Sequence, residues 1–192
     1  CRAVGLVTVV TDDPRAGEAL SALGAVVVPD RPAGGLNAAL AHGEAVSRAM
    51  RPAAPVAAMS ADLPALRPEE LDRVLAEAAA RPGRSFLPDA AGVGTTLLAA
   101  DAFSRLRPDF GGDSRSRHRA SGARELTVPD VPSVRQDVDT ARDLHAALCL
   151  GVGPRTAAAA ASLALPGSAA GCGADTGPGP GTGSDAASPA GP

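Results

Sequence analysis

Lysine is missing altogether: the 18 basic residues of this 192-residue chain are all arginine. The uniform usage reads as a GC-rich coding bias, but it has a chemical consequence. These residues offer no Schiff-base amine and no lysine to clamp a phosphate. Trp and Tyr are missing as well, and aromatics amount to 2% of residues, so a core must be built from Ala, Val and Leu. The formal net charge of −3 argues against a surface that coats nucleic acid. Cys1, Cys149 and Cys172 form no CxxC pair and no Cys/His cluster, which argues against both a zinc site and a disulfide framework. No apolar run reaches membrane-spanning length, and no charged-then-apolar leader opens the chain. The default reading is a soluble cytoplasmic protein with neither nucleic acid nor membrane as partner.

What is present alternates. Hydrophobic residues make up 45% of the chain, and the length suffices for one α/β domain with a proper core. Residues 6–11 are a β-branched run, after which Asp13 as N-cap and Pro14 in the first turn start a helix that Gly24 closes. Residues 25–29 read as a strand. Gly34-Gly35-Leu36-Asn37 opens a helix through Leu40, Val46 and Met50. After the central strand that ends on Asp62, Pro68-Glu69-Glu70 begins a helix with Leu71, Val74 and Leu75 on its buried stripe. Residues 85–89 and 95–99 look like paired strands. A glycine loop at 110–114 leads into a short arginine-rich helix around His118, residues 125–128 form a strand, and a last helix follows Thr140. This order predicts an α/β fold with a largely parallel sheet. From about residue 157 the composition collapses to Ala, Gly, Pro and Ser. The expectation is a folded domain over 1–156 and a disordered tail over 157–192.

The chemistry gathers around residues 54–66. A nearly all-apolar run of strand length ends on one acid, Asp62, and Pro64 stops the strand. Ligands of open α/β sheets bind outside the carboxyl ends of the strands, and a carboxylate there suits Mg²⁺, which takes one or two carboxylates plus phosphate oxygens. The alternative is that Asp62 caps the helix beginning near Pro68. A second acid pair stands at Asp137 and Asp139. Asp139, beside Thr140, is well placed as a helix cap, which leaves Asp137 as the better metal ligand. The two glycine loops let backbone N–H groups approach an anion closely, although each alone is an ordinary turn signal. Two carboxylates around a divalent ion facing a triphosphate is the arrangement that nucleotidyl transfer needs.

Several ordered segments then carry a resemblance: Val9-Val10-Thr11-Asp12, Gly35-Leu36-Asn37-Ala38-Ala39-Leu40, Ala61-Asp62-Leu63-Pro64-Ala65-Leu66, and Gly94-Thr95-Thr96-Leu97-Leu98. Phe110-Gly111 with Ser114 and His118, and Arg135 with Asp137-Val138-Asp139-Thr140, follow in turn. Together, over roughly residues 4 to 156, they resemble the guanylyltransferases of coenzyme F420 biosynthesis. The resemblance implies a GT-A-like, Rossmann-like nucleotidyltransferase fold with a mostly parallel mixed sheet. It implies Mg²⁺-dependent transfer of GMP from GTP to phosphoenolpyruvate or 2-phospho-L-lactate, with release of pyrophosphate and no covalent intermediate. By motif position, Asp62 and Asp137 hold the metal. Thr96 (with Thr95 beside it), Gly111 and Ser114 hold the acid substrate, and Gly34, Gly35 and Asn37 lie along the nucleotide. A homodimer is compatible with it.

One departure stands against the resemblance. Family members begin with a strand, a triphosphate-gripping loop and a helix, whereas this chain opens on Cys1 and reaches a strand almost at once. The expectation is a family member lacking that first unit, with two sheet edges left unpaired. Its rivals are another GT-A nucleotidyltransferase, of the molybdenum-cofactor or sugar-nucleotide type, and an inactive remnant. Of the remaining residues, His118 is read as solvated or supporting, and His42 and His145 as structural or exposed. Arg115, Arg117 and Arg119 are read as a solvated face or an anion-steering one, and Cys149 as a small core residue.

Overall fold

A computed structural model describes residues 1–31 and 33–163. The chain runs β1 (Thr8–Val10), α1 (Pro14–Ala22), β2 (Val26–Val28), α2 (Leu36–Met50), β3 (Val56–Met59), α3 (Pro68–Ala79), β4 (Arg84–Pro88), β5 (Thr95–Ala100), α4 (Ser114–Ala120), β6 (Arg124–Glu125), α5 (Pro132–Arg135), α6 (Ala141–Leu150) and α7 (Pro154–Ser162). The strong local signals hold. Asp13 caps α1 by accepting from the N–H groups of Arg15 at 2.8 Å and Ala16 at 3.2 Å, with Pro14 in the first turn.

The strands form two sheets. In one, β1 and β2 are parallel, with Thr8 opposite Val26 and Val10 opposite Val28. In the other the order is β3-β5-β4-β6, with β5 antiparallel to both β3 and β4 and β6 parallel to β4. Helix α2 packs against both β1 and β3 and so spans the two sheets. The sheet is mixed because the short connection over residues 90–94 can only join antiparallel neighbours, parallel ones needing a long crossover.

Strand alternation sends Leu87, Leu97 and Ala99 to one face, where Leu71 and Val74 of α3 and Val131 and Val134 near α5 cover them. Phe86, Leu98 and Ala100 go to the other, under Leu106, Phe110 and, from α2, Leu40. Phe86, Leu87 and Leu98 are wholly buried, each worth about 1.5–3 kcal/mol. With almost no aromatics available, this two-faced β4–β5 ribbon is the centre of the core.

Three expectations change. Strand β6 pairs only over Arg124–Glu125; beyond the Leu126 N–H to Phe86 carbonyl bond at 2.8 Å the chain leaves the ladder. The short helix α5 was not anticipated. Helix α7 crosses the expected boundary at 156: Gly153 and Pro154 start it, and five consecutive alanines from Ala157 continue it. A composition too poor to build a core is still the best possible helix former. The rest of the expected tail, 164–192, lies outside the described residues.

Candidate active site

Because β5 runs antiparallel to β3 and β4, the carboxyl ends of β3 and β4 and the start of β5 lie at one edge of the sheet. The Ser60 N–H to Thr96 carbonyl bond, 2.9 Å, fastens the end of β3 to the start of β5 there. Asp62 follows two residues after Ser60. It is exposed and its carboxylate takes part in no described hydrogen bond. Helix α3 is entered from Arg67 without a side-chain cap, so the capping alternative for Asp62 is not realised.

Asp137 arrives at the same edge from α5. Burial lifts its pKa to about 6, and the charges of Asp89, Asp62 and Asp139 push in the same direction. None of these four acids is in a described ion pair, although Asp89 attracts the Arg115 guanidinium at longer range. Among the described residues no group of three or more His, Cys, Asp or Glu side chains is assembled as a ready-made metal cage. Two carboxylates with the remaining positions left to phosphate and water is the donor set that suits Mg²⁺ rather than a structural metal.

Asp89 is the residue that sequence reasoning missed. It follows β4, is buried, and accepts from the N–H groups of Val93 at 2.9 Å and Gly94 at 2.7 Å. One carboxylate thus shapes the 90–94 turn and also charges the surroundings of Asp137. Arg135 supports the same corner, donating to the Asp89 carbonyl at 3.1 Å and accepting from the Ala90 N–H at 2.7 Å. Asp139, by contrast, caps nothing. The N-cap of α6 is Thr140, which accepts from the Asp143 N–H while Asp143 accepts from the Thr140 N–H at 2.9 Å, a reciprocal capping box. Thr140 has the cap geometry, and the neighbouring acid is exposed.

The other wall is built on a bulge. Pro88 opposes Thr95 and Leu87 opposes Leu97, so Thr96 is the extra residue in β5. Bulges re-aim side chains beside sites. Thr96 is completely buried, and its Oγ1 has no hydrogen-bond partner among the described residues, a state that costs about 1–3 kcal/mol until a partner is supplied. In the loop of Asp109 to Asp113, Gly111 and Gly112 have φ of +96° and +45°, and Ser114 is buried at the start of α4. Asn37 reaches this loop from α2: its amide accepts from the Phe110 N–H at 2.7 Å and donates to the Phe110 carbonyl at 3.2 Å. Its side chain is thereby engaged with the protein itself. Gly34 and Gly35 lie exposed before α2, and Gly35 has φ of +82°.

The structure therefore sets Asp62 close enough to Asp137 to raise its pKa, ties Thr95, beside Thr96, through His118 to Asp109 of the loop that carries Gly111, and holds that loop from α2 through Asn37. His118 is wholly buried rather than solvated. Burial holds its pKa below the usual histidine value. The arginines of α4 are all engaged: Arg115 and Arg119 with Glu125, Arg117 with Asp109. Cys149 is exposed on α6 and is not a core residue.

Residues 1–128 match the model of the MobA-like NTP transferase domain. The chain is 68% identical over 158 residues to a phosphoenolpyruvate guanylyltransferase of Streptomyces coelicolor, covering 82% of this chain and 74% of that protein. A protein of the same name from Streptomyces avermitilis is 67% identical over 156 residues, covering 81% and 72%. One from Thermomonospora curvata is 63% identical over 158 residues, covering 82% and 69%. With the carboxylate edge, the Thr96 bulge and the glycine loop in place, these matches settle the kinship: the chain belongs to the MobA-like NTP transferase family, within the group whose curated members are named phosphoenolpyruvate guanylyltransferases.

Proposed function

We propose that the chain transfers GMP from GTP to phosphoenolpyruvate in the cytoplasm, as a step of coenzyme F420 biosynthesis. An oxygen of the acceptor's phosphate attacks the α-phosphorus of GTP. The bond from that phosphorus to the bridging oxygen of the β-phosphate breaks, and pyrophosphate leaves with the electron pair. The supporting observation is the pairing of a carboxylate edge in no described ion pair, Asp62 with Asp137, and a buried hydroxyl, Thr96, without a partner among the described residues.

Asp62 and Asp137 would hold Mg²⁺, whose charge neutralises the phosphates and eases pyrophosphate departure. Asp137 must be ionised for this, which its pKa of about 6 allows at neutral pH. Thr96, with Thr95 beside it, would give its unpartnered hydroxyl to the acceptor, and Gly111 and Ser114 would receive it through backbone and hydroxyl groups. Gly34 and Gly35 would lie along the nucleotide through backbone groups, while Asn37 would hold the Phe110–Gly111 loop of the acceptor wall from behind. Both reactants are polyanions, so what the protein supplies is mainly position and compensating charge.

The test is pyrophosphate release from GTP with Mg²⁺, offered phosphoenolpyruvate or 2-phospho-L-lactate, with the guanylylated product identified by mass spectrometry. Turnover with phosphoenolpyruvate is expected, and Asp62→Asn should abolish it without changing the thermal midpoint. Preference for 2-phospho-L-lactate would reassign the acceptor. Turnover with neither, or undiminished turnover in Asp62→Asn, would overturn the assignment.

A further inference from the structure

His118 joins two pieces of the acceptor wall that are far apart in sequence. Its Nε2 accepts from the backbone N–H of Asp109 at 3.1 Å, and its Nδ1 lies 2.9 Å from Thr95 Oγ1. A backbone N–H can only donate, so Nε2 carries no proton. The neutral ring then bears its proton on Nδ1 and donates it to Thr95. Phe86 and Phe110 hold the ring, with centroids at 5.7 and 5.2 Å. The two ends so linked are the start of β5, where Thr96 sits in the bulge, and the loop leading into Gly111. Arg117 fastens the same loop from outside through the Asp109 carboxylate, the Asp109 carbonyl and the Gly111 carbonyl. No described hydrogen bond uses the N–H of Gly111 or of Gly112.

We propose that His118 is a positioning residue for the acid acceptor: by holding Thr95 through Nδ1 and the Asp109 N–H through Nε2, it sets the spacing between Thr96 and the Gly111–Ser114 segment. The inference rests on the functional reading above for the identity of the acceptor. Protonating the ring places an Nε2–H against the Asp109 N–H, two donors face to face, and the link opens. Charged groups facing the ring pull both ways, Asp109 favouring the proton and Arg117 of the same helix and Arg84 of β4 opposing it, while burial dominates and keeps the ring neutral. Acceptor affinity should therefore fall on acidification through the His118 titration, while GTP affinity does not follow it.

The two contacts can be separated chemically. Asparagine places an amide near the Nδ1 position and can keep Thr95; glutamine places one near Nε2 and can keep Asp109. Phosphoenolpyruvate affinity is read by calorimetry for the wild type, His118→Asn and His118→Gln, alongside steady-state KM values for both substrates. Each variant should lose about tenfold in acceptor affinity, the worth of one hydrogen bond, with the KM for GTP unchanged. In the wild type, protection of the Asp109 amide against exchange, followed by NMR, should disappear as the His118 ring takes up its proton. That readout survives if the variants fold poorly. Unchanged acceptor affinity in both folded variants, or an Asp109 amide indifferent to the ring's titration, would overturn the proposal. Acceptor binding that depends on His118 without any guanylyl transfer would uphold it and overturn the functional reading instead.

Discussion

Asp89 and Gly94 face each other across the β4–β5 turn so closely that no side chain fits between them. The Gly94 N–H donates to Asp89 Oδ2 at 2.7 Å, and a Cβ on Gly94 would stand 2.5 Å from that same oxygen. The carboxylate cannot simply swing aside, because its other oxygen is held by the Val93 N–H. Gly94→Ala should cost about 1–3 kcal/mol as an overpacked site does, read by urea denaturation. It should also move Asp89 away from Asp137, so the acid limb of the activity profile should shift to lower pH. A variant as stable as the wild type, with an unmoved profile, would separate the turn from the carboxylate edge.

Asp137 carries the reverse balance of stability and function. Its folded-state pKa, about 6, lies above the ordinary 3.8. The native chain therefore binds this proton more tightly than the unfolded one. The associated stability is fully present below about pH 3.8 and is lost as pH rises through about 6. A shift of about two units corresponds to about 3 kcal/mol, reduced to about 1–2 kcal/mol because the group is only half-buried and solvent screens it. In metal-free buffer at pH 8, Asp137→Asn should be more stable than the wild type by that amount and catalytically dead. The gap should close as pH falls toward 4. A gap that ignores pH would mean that Asp137 is not the strained group.

The end of the chain's last acid run offers a clean contrast. Thr140 makes the reciprocal cap of α6 with Asp143, and Asp139 makes none. Thr140→Ala should lose about 1 kcal/mol, whereas Asp139→Asn, an exposed change outside the cap, should stay within about 0.5 kcal/mol. Chemical denaturation of the two variants decides the matter, and the opposite ranking would restore Asp139 as the cap.

How far the sequence reached depends on the range over which each signal acts. The place of Asp62 just beyond a strand was legible because an apolar run that stops on an acid marks a strand end whatever surrounds it, although β3 itself ends at Met59. The helix starts at Asp13-Pro14 and Pro68 were legible because caps are local. Asp89 was not, since Leu-Pro-Asp-Ala-Ala-Gly reads as a turn and only the fold turns that aspartate toward Asp137. His118 was hidden by its neighbours: a helix bearing Arg115, Arg117 and Arg119 looks solvated, yet one position of it points inward between Phe86 and Phe110. The Thr95–Thr96 bulge depends on a register slip against Leu87 and Pro88, which no periodicity in β5 itself encodes. At Ala157 the two physical arguments compete, and helix propensity prevails over the lack of core-forming side chains as far as Ser162.

Asn37 tests whether that wall is a binding surface or its scaffold. By motif position it belongs to the nucleotide, yet its amide uses both its oxygen and its nitrogen on the Phe110 backbone, in the way one strand residue pairs with another. The loop that Phe110 enters carries Gly111 and leads to Ser114, the segment assigned to the acceptor. If the amide acts through that loop, Asn37→Ala should raise the KM for phosphoenolpyruvate about tenfold, the worth of one partly buried hydrogen bond, and leave the KM for GTP nearly unchanged. Asn37→Asp is the sharper variant. It keeps the acceptor for the Phe110 N–H but brings a second acceptor against the Phe110 carbonyl, so the two oxygens repel and half the pairing is lost. Its acceptor KM should be at least as high as that of the alanine variant, and its deficit relative to the wild type at the same pH should shrink as the new carboxyl is protonated. A rise in the KM for GTP alone, in both variants, would place Asn37 on the nucleotide and make its hold on Phe110 incidental.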